Sequence, residues 1–509
     1  MIVDIPVPVF RIGSIIVIFV QLTVSYTMSS ESYNYTEERN KILQEERMKF
    51  IGNDLILTDN EMKANEIILK VKKTELNEGY DNESTFLASQ HFFKAKNKIE
   101  RSEMFNIIKK IPKGGSLHTH YLSGVSADFI INNITHRKNI YGCDLNGVFK
   151  LRFLEDATND TTCNWKKLED YRKENSNFDD WLRKQLILDV ENPYEEYPTA
   201  DSVWAKFKKI FSTQYDMVCY KPVFEIFIYQ LLNELYSDNV IYTELRGTFM
   251  PLYELNGKIY NSKEFMKIFI NTVERFKKNF PDFVGVRYIH SIYRGLTIEN
   301  LTLQLDELTK LKKLFPNFVA GFDLIGREEE GHCLFEIHQL LSKYSENLKF
   351  YFHAGETNWF GHTDLNIIDA VLLNSSRIGH GFGLNKHPVV TRLAKDKNIC
   401  VELCPISNQV LMLISDPRNH PMIGLMAEGF PVVICNDDPS AWGTIGLSYD
   451  WYVAFMAMTS ENDGIRVLKQ FALNSILYSA MEDEEKEAAV RIWEKSWQEF
   501  IDYIILHHK

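Results

Sequence analysis

The chain has 509 residues, 45% of them hydrophobic and 25% charged, with a formal net charge of −12. That length exceeds one small domain but suits a single large barrel with additions, and the composition is that of a soluble globular protein. The acidic balance excludes broad nucleic-acid binding, which needs a basic face.

In chain order, Arg11 precedes an uncharged apolar run over residues 12–22, followed by small and polar residues near Ser25 and Ser30. The run has the length of a signal-peptide core and is too short for a comfortable membrane span. The expectation is a signal peptide over residues 1–27, export, and no membrane association after cleavage; Asp4 keeps an uncleaved anchor as the alternative. Six Asn-x-Ser/Thr sequons, at Asn34, Asn82, Asn133, Asn159, Asn300 and Asn374, fit that route. Residues 28–110 carry apolar positions three and four apart, such as Phe92, Phe93 and Ile99, and no strand-like alternation. They read as a helical extension, either packed on the body or acting as a dimerisation arm.

Eight short apolar runs follow, at 116–120, 240–246, 284–291, 319–325, 348–353, 377–381, 399–405 and 431–437, most of them separated by helix-like segments such as 262–279, 297–314, 332–344 and 388–397. Alternating strand and helix patterns imply a parallel sheet, and eight such units an α/β (β/α)8 TIM barrel over residues 111–509. Strands finish in His118, Glu244, His290, Asp323, His353, His380 and Asp437, and in this fold chemistry sits at strand C-termini. The interval 121–239 is too long for a structureless loop. Residues 140–198 read as an insert stapled by Cys143 and Cys163, the two cysteines in polar surroundings; the other five read as buried thiols. Lys206, Lys208 and Lys209 read as the solvated side of a helix, and residues 461–509 as helices closing the barrel.

His118 and His120, two apart in a strand, share a face. With His353 and Asp437 from the fifth and eighth strands they can converge on one metal, and three imidazoles with a carboxylate suit zinc. Residues 319–326 hold no lysine to bridge a second metal, so one Zn²⁺ per chain is expected. Zinc makes hydroxide available near neutrality. His380 is placed to take the water's proton, Glu356 to donate one to the substrate, and Asp438 to accept a hydrogen bond beside them, with Asn436 and Pro439 fixing the turn. His332, His338, His387 and His420 read as hydrogen-bonded core or loop residues.

Four motifs in order, His118-Thr119-His120, His353-Ala354-Gly355-Glu356, Arg377-Ile378-Gly379-His380-Gly381 and Asn436-Asp437-Asp438-Pro439, resemble the adenosine deaminases. The leader, the helical extension and the insert resemble their secreted branch, the adenosine deaminase-related growth factors. The resemblance implies zinc-dependent hydrolysis of adenosine to inosine and ammonia, with 2′-deoxyadenosine a second candidate, by attack of zinc-bound hydroxide at purine C6. It gives Glu356 the purine N1, His380 the water proton, Asp438 the N7 edge and the Gly326 backbone N–H the N3, and it places Trp204 and Phe207 beside the pocket. It further implies a homodimer through residues 28–110 and a cell-surface receptor or glycan as partner. Two positions depart from the secreted branch: Tyr121 stands where an Asp contacts the ribose, and Tyr293 where a His does. A nucleotide substrate is disfavoured, since no Arg/Lys cluster for a phosphate accompanies the motifs. The alternative is a secreted growth-factor-like signalling or binding protein with weak or no deaminase activity.

Overall fold

Eight parallel strands close into a ring because every neighbour pair, including the first and last, exchanges backbone hydrogen bonds. The computed structural model describes residues 34–508, so the signal-peptide expectation lies outside the described residues. One run of the barrel is β1 (Gly114–His120), β5 (Val240–Gly247), β6 (Gly285–Tyr293), β7 (Val319–Ile325) and β8 (Lys349–Phe350). The other is β9 (His353–Ala354), β10 (Arg377–His380), β11 (Cys400–Leu403) and β12 (Val432–Ile434). β8 and β9 are one interrupted fifth strand. Tyr351 N–H donates to Phe322 O at 2.9 Å and Gly379 N–H to Phe352 O at 2.8 Å, so its two sides stay joined. The break has a cause: His353 N–H bonds the Asp323 carboxylate at 2.9 Å instead of a backbone carbonyl. At the seam, Asp437 N–H donates to His118 O and His120 N–H to Asp437 O, both at 3.0 Å.

The strands read as unbroken apolar runs because both faces are covered, as parallel sheets require; every residue of β5 but Gly247 is buried. The surrounding helices start where the sequence supplies caps. Asn261 and Glu264 form a capping box for Ser262–Asn279, and Thr297 accepts from Asn300 N–H to start Ile298–Leu314.

The insert opens with a three-stranded antiparallel sheet, β2 (Ile140–Leu145), β3 (Val148–Phe153) and β4 (Lys166–Lys167), in the order β3–β2–β4, and continues into the short helices Leu168–Glu174, Phe178–Leu186 and Pro193–Glu196. Asn146 and Gly147, with φ of 55° and 75°, make the two-residue turn that matches strand twist. The Cys143–Cys163 disulfide is present. The other five cysteines are free, four of them buried, while Cys333 is only half-buried, contrary to expectation.

Helix Tyr35–Lys49 buries none of its side chains. Helix Asp59–Asp81 packs on the barrel's C-terminal helices. Glu61, which completes its capping box with Thr58, accepts hydrogen bonds from Lys469 and Trp497. Lys72, fully buried, donates to Thr459 Oγ1 and to the carbonyls of Ser460 and Asp463. The final helix, Asp483–His507, presents Trp493 Nε1 to Pro112 O at 2.7 Å, sealing the base of β1.

Candidate metal centre and active site

His118 and His120 point to one side of β1 and meet Asp437, just beyond β12, across the seam. His118 Nε2 is 3.3 Å and His120 Nε2 3.2 Å from Asp437 Oδ1. His353, opening β9, joins them, and one ligand atom from each of these four residues lies within 4.8 Å of the other three. Metal–ligand bonds of about 2.0–2.1 Å at tetrahedral angles put neighbouring donors about 3.3 Å apart, the separation seen. His118 Nε2 and Asp437 Oδ1 are buried with no hydrogen-bond partner among the described residues. Buried polar atoms are rarely left so. Three imidazoles, one carboxylate and two orphaned donor atoms fit a divalent metal.

The opposite ring nitrogens are anchored. His118 Nδ1 is 2.7 Å from Glu402 Oε2, and His353 Nδ1 is 2.8 Å from Asp323 Oδ2. Carboxylates behind ligating imidazoles fix which nitrogen faces the metal. Arg246 spans Asp323 and Glu402, and Arg377 spans Glu402 and Glu244, all fully or almost fully buried. Burial disfavours the charge on Asp323 and Glu402, yet His353 and Arg246 for the first, and both arginines for the second, hold the carboxyls well below the usual range. Burial lowers His353 to about 4, keeping its ring neutral as a ligand must be.

Around this centre stand three further groups. Glu356 follows β9, its backbone N–H held by Glu328 Oε1 at 2.6 Å. Burial first, then the charges of Asp437 and Glu328, push its carboxyl well above the usual range, and its Oε1 has no partner among the described residues. Asp438 accepts from Ser123 Oγ; burial and the adjacent Asp437 raise it as well. His380 ends β10 with its Nε2, unpartnered among the described residues, 3.8 Å from Asp437 Oδ2. His380 and Asp437 both adopt left-handed backbone, with φ of 60° and 55°. Such strain costs roughly 1–2 kcal/mol per residue and concentrates at functional sites.

Above them opens a cavity of about 410 Å³. Glu356, Asp437 and Asp438 are the only carboxylates lining it among the described residues, and its outer wall is aromatic: Trp204, Phe207, Phe211 and Tyr215 from helix Ala200–Val218, then Tyr121 and Tyr293. Gly326 lines it with φ of 101°; a Cβ there would come within 2.7 Å of the Tyr293 ring. Tyr121 is buried and its hydroxyl donates to Thr248 O at 2.8 Å. Lys208 lies on the solvated side of its helix, as expected, where it pairs with Glu330 and also lines the cavity.

Every residue singled out from sequence for metal, catalysis or substrate thus lies at or around one cavity. Three strand-end residues do not reach it. Glu244 serves Arg377 and Asp323 serves His353, both below the metal position. His290 turns outward, its Nε2 3.0 Å from Gln304 and its ring stacked on Phe249 at 3.9 Å. Sequence reading missed Glu402, Arg246 and Arg377 as functional residues, although a charged residue inside the apolar run Cys400-Val401-Glu402-Leu403 was a visible signal.

A family model described as adenosine deaminase matches residues 184–493, and one described as adenosine/AMP deaminase N-terminal matches residues 14–108. The adenosine deaminase of Lutzomyia longipalpis is 40% identical over 484 residues, 94% of this chain and 95% of that protein. Adenosine deaminase 2 of Sus scrofa is 41% identical over 492 residues (94% and 96%), and that of Homo sapiens 39% over 493 (95% and 96%). Among solved structures, Arabidopsis ADAL complexed with GMP superposes with a TM-score of 0.56 at 18% identity, covering 77% of this chain and 99% of that one. A cog1816 amidohydrolase from Burkhoderia ambifaria with bound Zn gives 0.54 at 18% identity, covering 79% and 94%. At such identity these two speak for the fold alone.

Proposed function

The chain belongs to the adenosine deaminase family, and from that premise we propose that it hydrolyses adenosine to inosine and ammonia. The observation that carries the proposal is the set of atoms unpartnered among the described residues, Glu356 Oε1, His380 Nε2, Asp437 Oδ1 and His118 Nε2, of which Glu356 and Asp437 line a cavity with a largely aromatic outer wall and the two histidines cluster with them. His118, His120, His353 and Asp437 would hold one zinc ion, which when bound supplies the Lewis acid that makes water nucleophilic near pH 7. Glu356, kept protonated by burial and neighbouring charge, donates its proton to the purine N1 as water adds at C6. Asp438, protonated for the same reasons, donates to the N7 edge, and the Gly326 backbone N–H reaches N3. Trp204 and Phe207 flank the base and exclude water. His380 engages the attacking water through Nε2.

We further place the enzyme outside the cell, after removal of residues 1–27. Five sequons, Asn34, Asn82, Asn133, Asn300 and Asn374, are exposed and support that route. The N-terminal helices would join two copies, with Ile56 and Tyr80 left 92% and 72% exposed for a second chain.

The test is direct. Metal-loaded protein should convert adenosine to inosine with release of ammonia. Glu356→Gln should lose about 10²–10⁴ of kcat, the usual weight of a positioned proton donor, while retaining its metal. A metal-replete wild type inert toward adenosine and 2′-deoxyadenosine overturns the reading.

A further inference from the structure

Met422 N–H lies 3.1 Å from His420 Nδ1. A backbone amide only donates, so Nδ1 accepts, and a neutral His420 must carry its proton on Nε2. Burial pushes His420 down to about 3, so the ring is neutral. Its Nε2 is 2.9 Å from Asn408 Oδ1. That contact settles the amide's orientation, since only the oxygen can accept. Asn408 Nδ2 is thereby turned toward His380 Nδ1, 3.2 Å away, and donates to it. All three side chains are at most 2% exposed, so no bulk water competes. The nearest carboxyl oxygen to His380 Nδ1, Glu356 Oε1, stands 3.6 Å off, beyond hydrogen-bond range.

The polarity therefore runs one way, from the Met422 amide through His420 and Asn408 to His380. We propose that Asn408 and His420 are positioning residues that hold His380 in the tautomer with its proton on Nε2, so that His380 presents a hydrogen-bond donor to the attacking water's oxygen and not the free lone pair of a base. This deepens the functional reading above and rests on it for the identity of the nucleophile. It reverses the role expected of His380 from its position in the sequence. The assignment fixes the state from which attack begins; it moves no proton. It also explains why His380 Nε2 lacks a protein partner among the described residues: its N–H lies on the side of Asp437, whose Oδ2 is 3.8 Å away.

Neutron diffraction from crystals of the metal-loaded protein grown in D2O tests the tautomer without substrate. Deuterium on His380 Nε2 and none on Nδ1 is expected; deuterium on Nδ1, alone or with Nε2, overturns the proposal. That result is readable whether or not adenosine is turned over, so its failure is separable from failure of the functional reading. Kinetics supply a second arm. Asn408→Asp replaces the donor by a carboxylate that accepts from Nδ1, and kcat should fall about 10–100-fold with KM and metal content unchanged, the size of loss seen when such outer partners are removed. His420→Leu should fall likewise, and His420→Gln, which again offers an N–H to Asn408 Oδ1, should recover much of the loss. Wild-type kcat in Asn408→Asp sinks the proposal.

Discussion

Glu402 Oε2 sits 2.7 Å from His118 Nδ1 while Glu402 Oε1 sits 2.7 Å from Arg377 Nε, so one carboxylate both aims a metal ligand and neutralises a buried arginine. Arg246 bonds the same Oε2. Glu402→Gln would leave two fully buried guanidiniums short of a counter-charge. Breaking such a pair typically costs about 3–5 kcal/mol, and losing a partner behind a ligating histidine weakens metal binding about 10–100-fold. A melting curve of the metal-free variant and a competitive zinc titration read the two effects separately. Wild-type values in both would show that the network beneath the metal is dispensable.

The ligands were legible because each ends an apolar strand and a two-residue spacing fixes a shared face; the barrel then places first, fifth and eighth strand ends around one axis. The supports beneath were not. Arg246, Arg377, Glu244 and Glu402 pair across three different strands, and those pairings follow from barrel register, which spacing along the chain does not encode. His290 shows the converse: it stands near a strand end, as His353 and His380 do, but its side chain falls on the outward face and meets the helix Ile298–Leu314. Asn408 and His420 lie beyond β11, where only tertiary contact reveals the chain of donors.

The outer cavity bears on the sugar. Away from the metal end its wall offers tyrosines, Met250 and Lys208 but no carboxylate. A site built with buried polar groups for a hydroxyl rejects the analogue lacking it by 10⁴–10⁵, whereas a mainly apolar wall discriminates roughly 10–200-fold at most. We expect kcat/KM for 2′-deoxyadenosine within about tenfold of that for adenosine, an energy gap of about 1.4 kcal/mol. Steady-state kinetics on the two nucleosides decide it, and a thousandfold preference for the ribonucleoside (on the order of 4 kcal/mol) would contradict this account of the wall.

The insert supports the same wall from behind. Lys150 Nζ in β3 donates to Ser212 O at 2.9 Å, and Tyr253 hydroxyl to Phe153 O at 3.0 Å, so β3 braces the helix carrying Trp204 and Phe207. The Cys143–Cys163 bond closes a segment with a sequence separation of 20. Loop entropy assigns such a link about 3 kcal/mol. A Cys143→Ser, Cys163→Ser double variant should melt earlier and show a raised KM with kcat nearly kept, since the metal and its proton donors sit on the barrel. An unchanged KM would uncouple the insert from the substrate wall.

Acid should weaken the fold through histidines buried in the neutral form, and His91 isolates the effect away from the metal. Its ring is 6% exposed, its Nδ1 accepts from Phe93 N–H at 3.3 Å, and it packs on Phe93 and Tyr194. Burial, with a smaller push from Lys94, lowers it from 6.5 to about 4. The folded-state value lies below the unfolded one, so below pH 6.5 the unfolded chain takes up a proton that the folded chain refuses. Stability is therefore flat above that pH and falls as pH drops from 6.5 toward about 4, by roughly 3 kcal/mol for this group. His91→Asn keeps a side-chain acceptor for the Phe93 amide but cannot titrate. Urea unfolding of both proteins at pH about 7.5 and about 4.5 gives the comparison by linkage, and metal-site histidines cancel in the difference. The variant should lose distinctly less stability on acidification than the wild type; equal losses would mean that His91 is protonated in the folded protein at no cost.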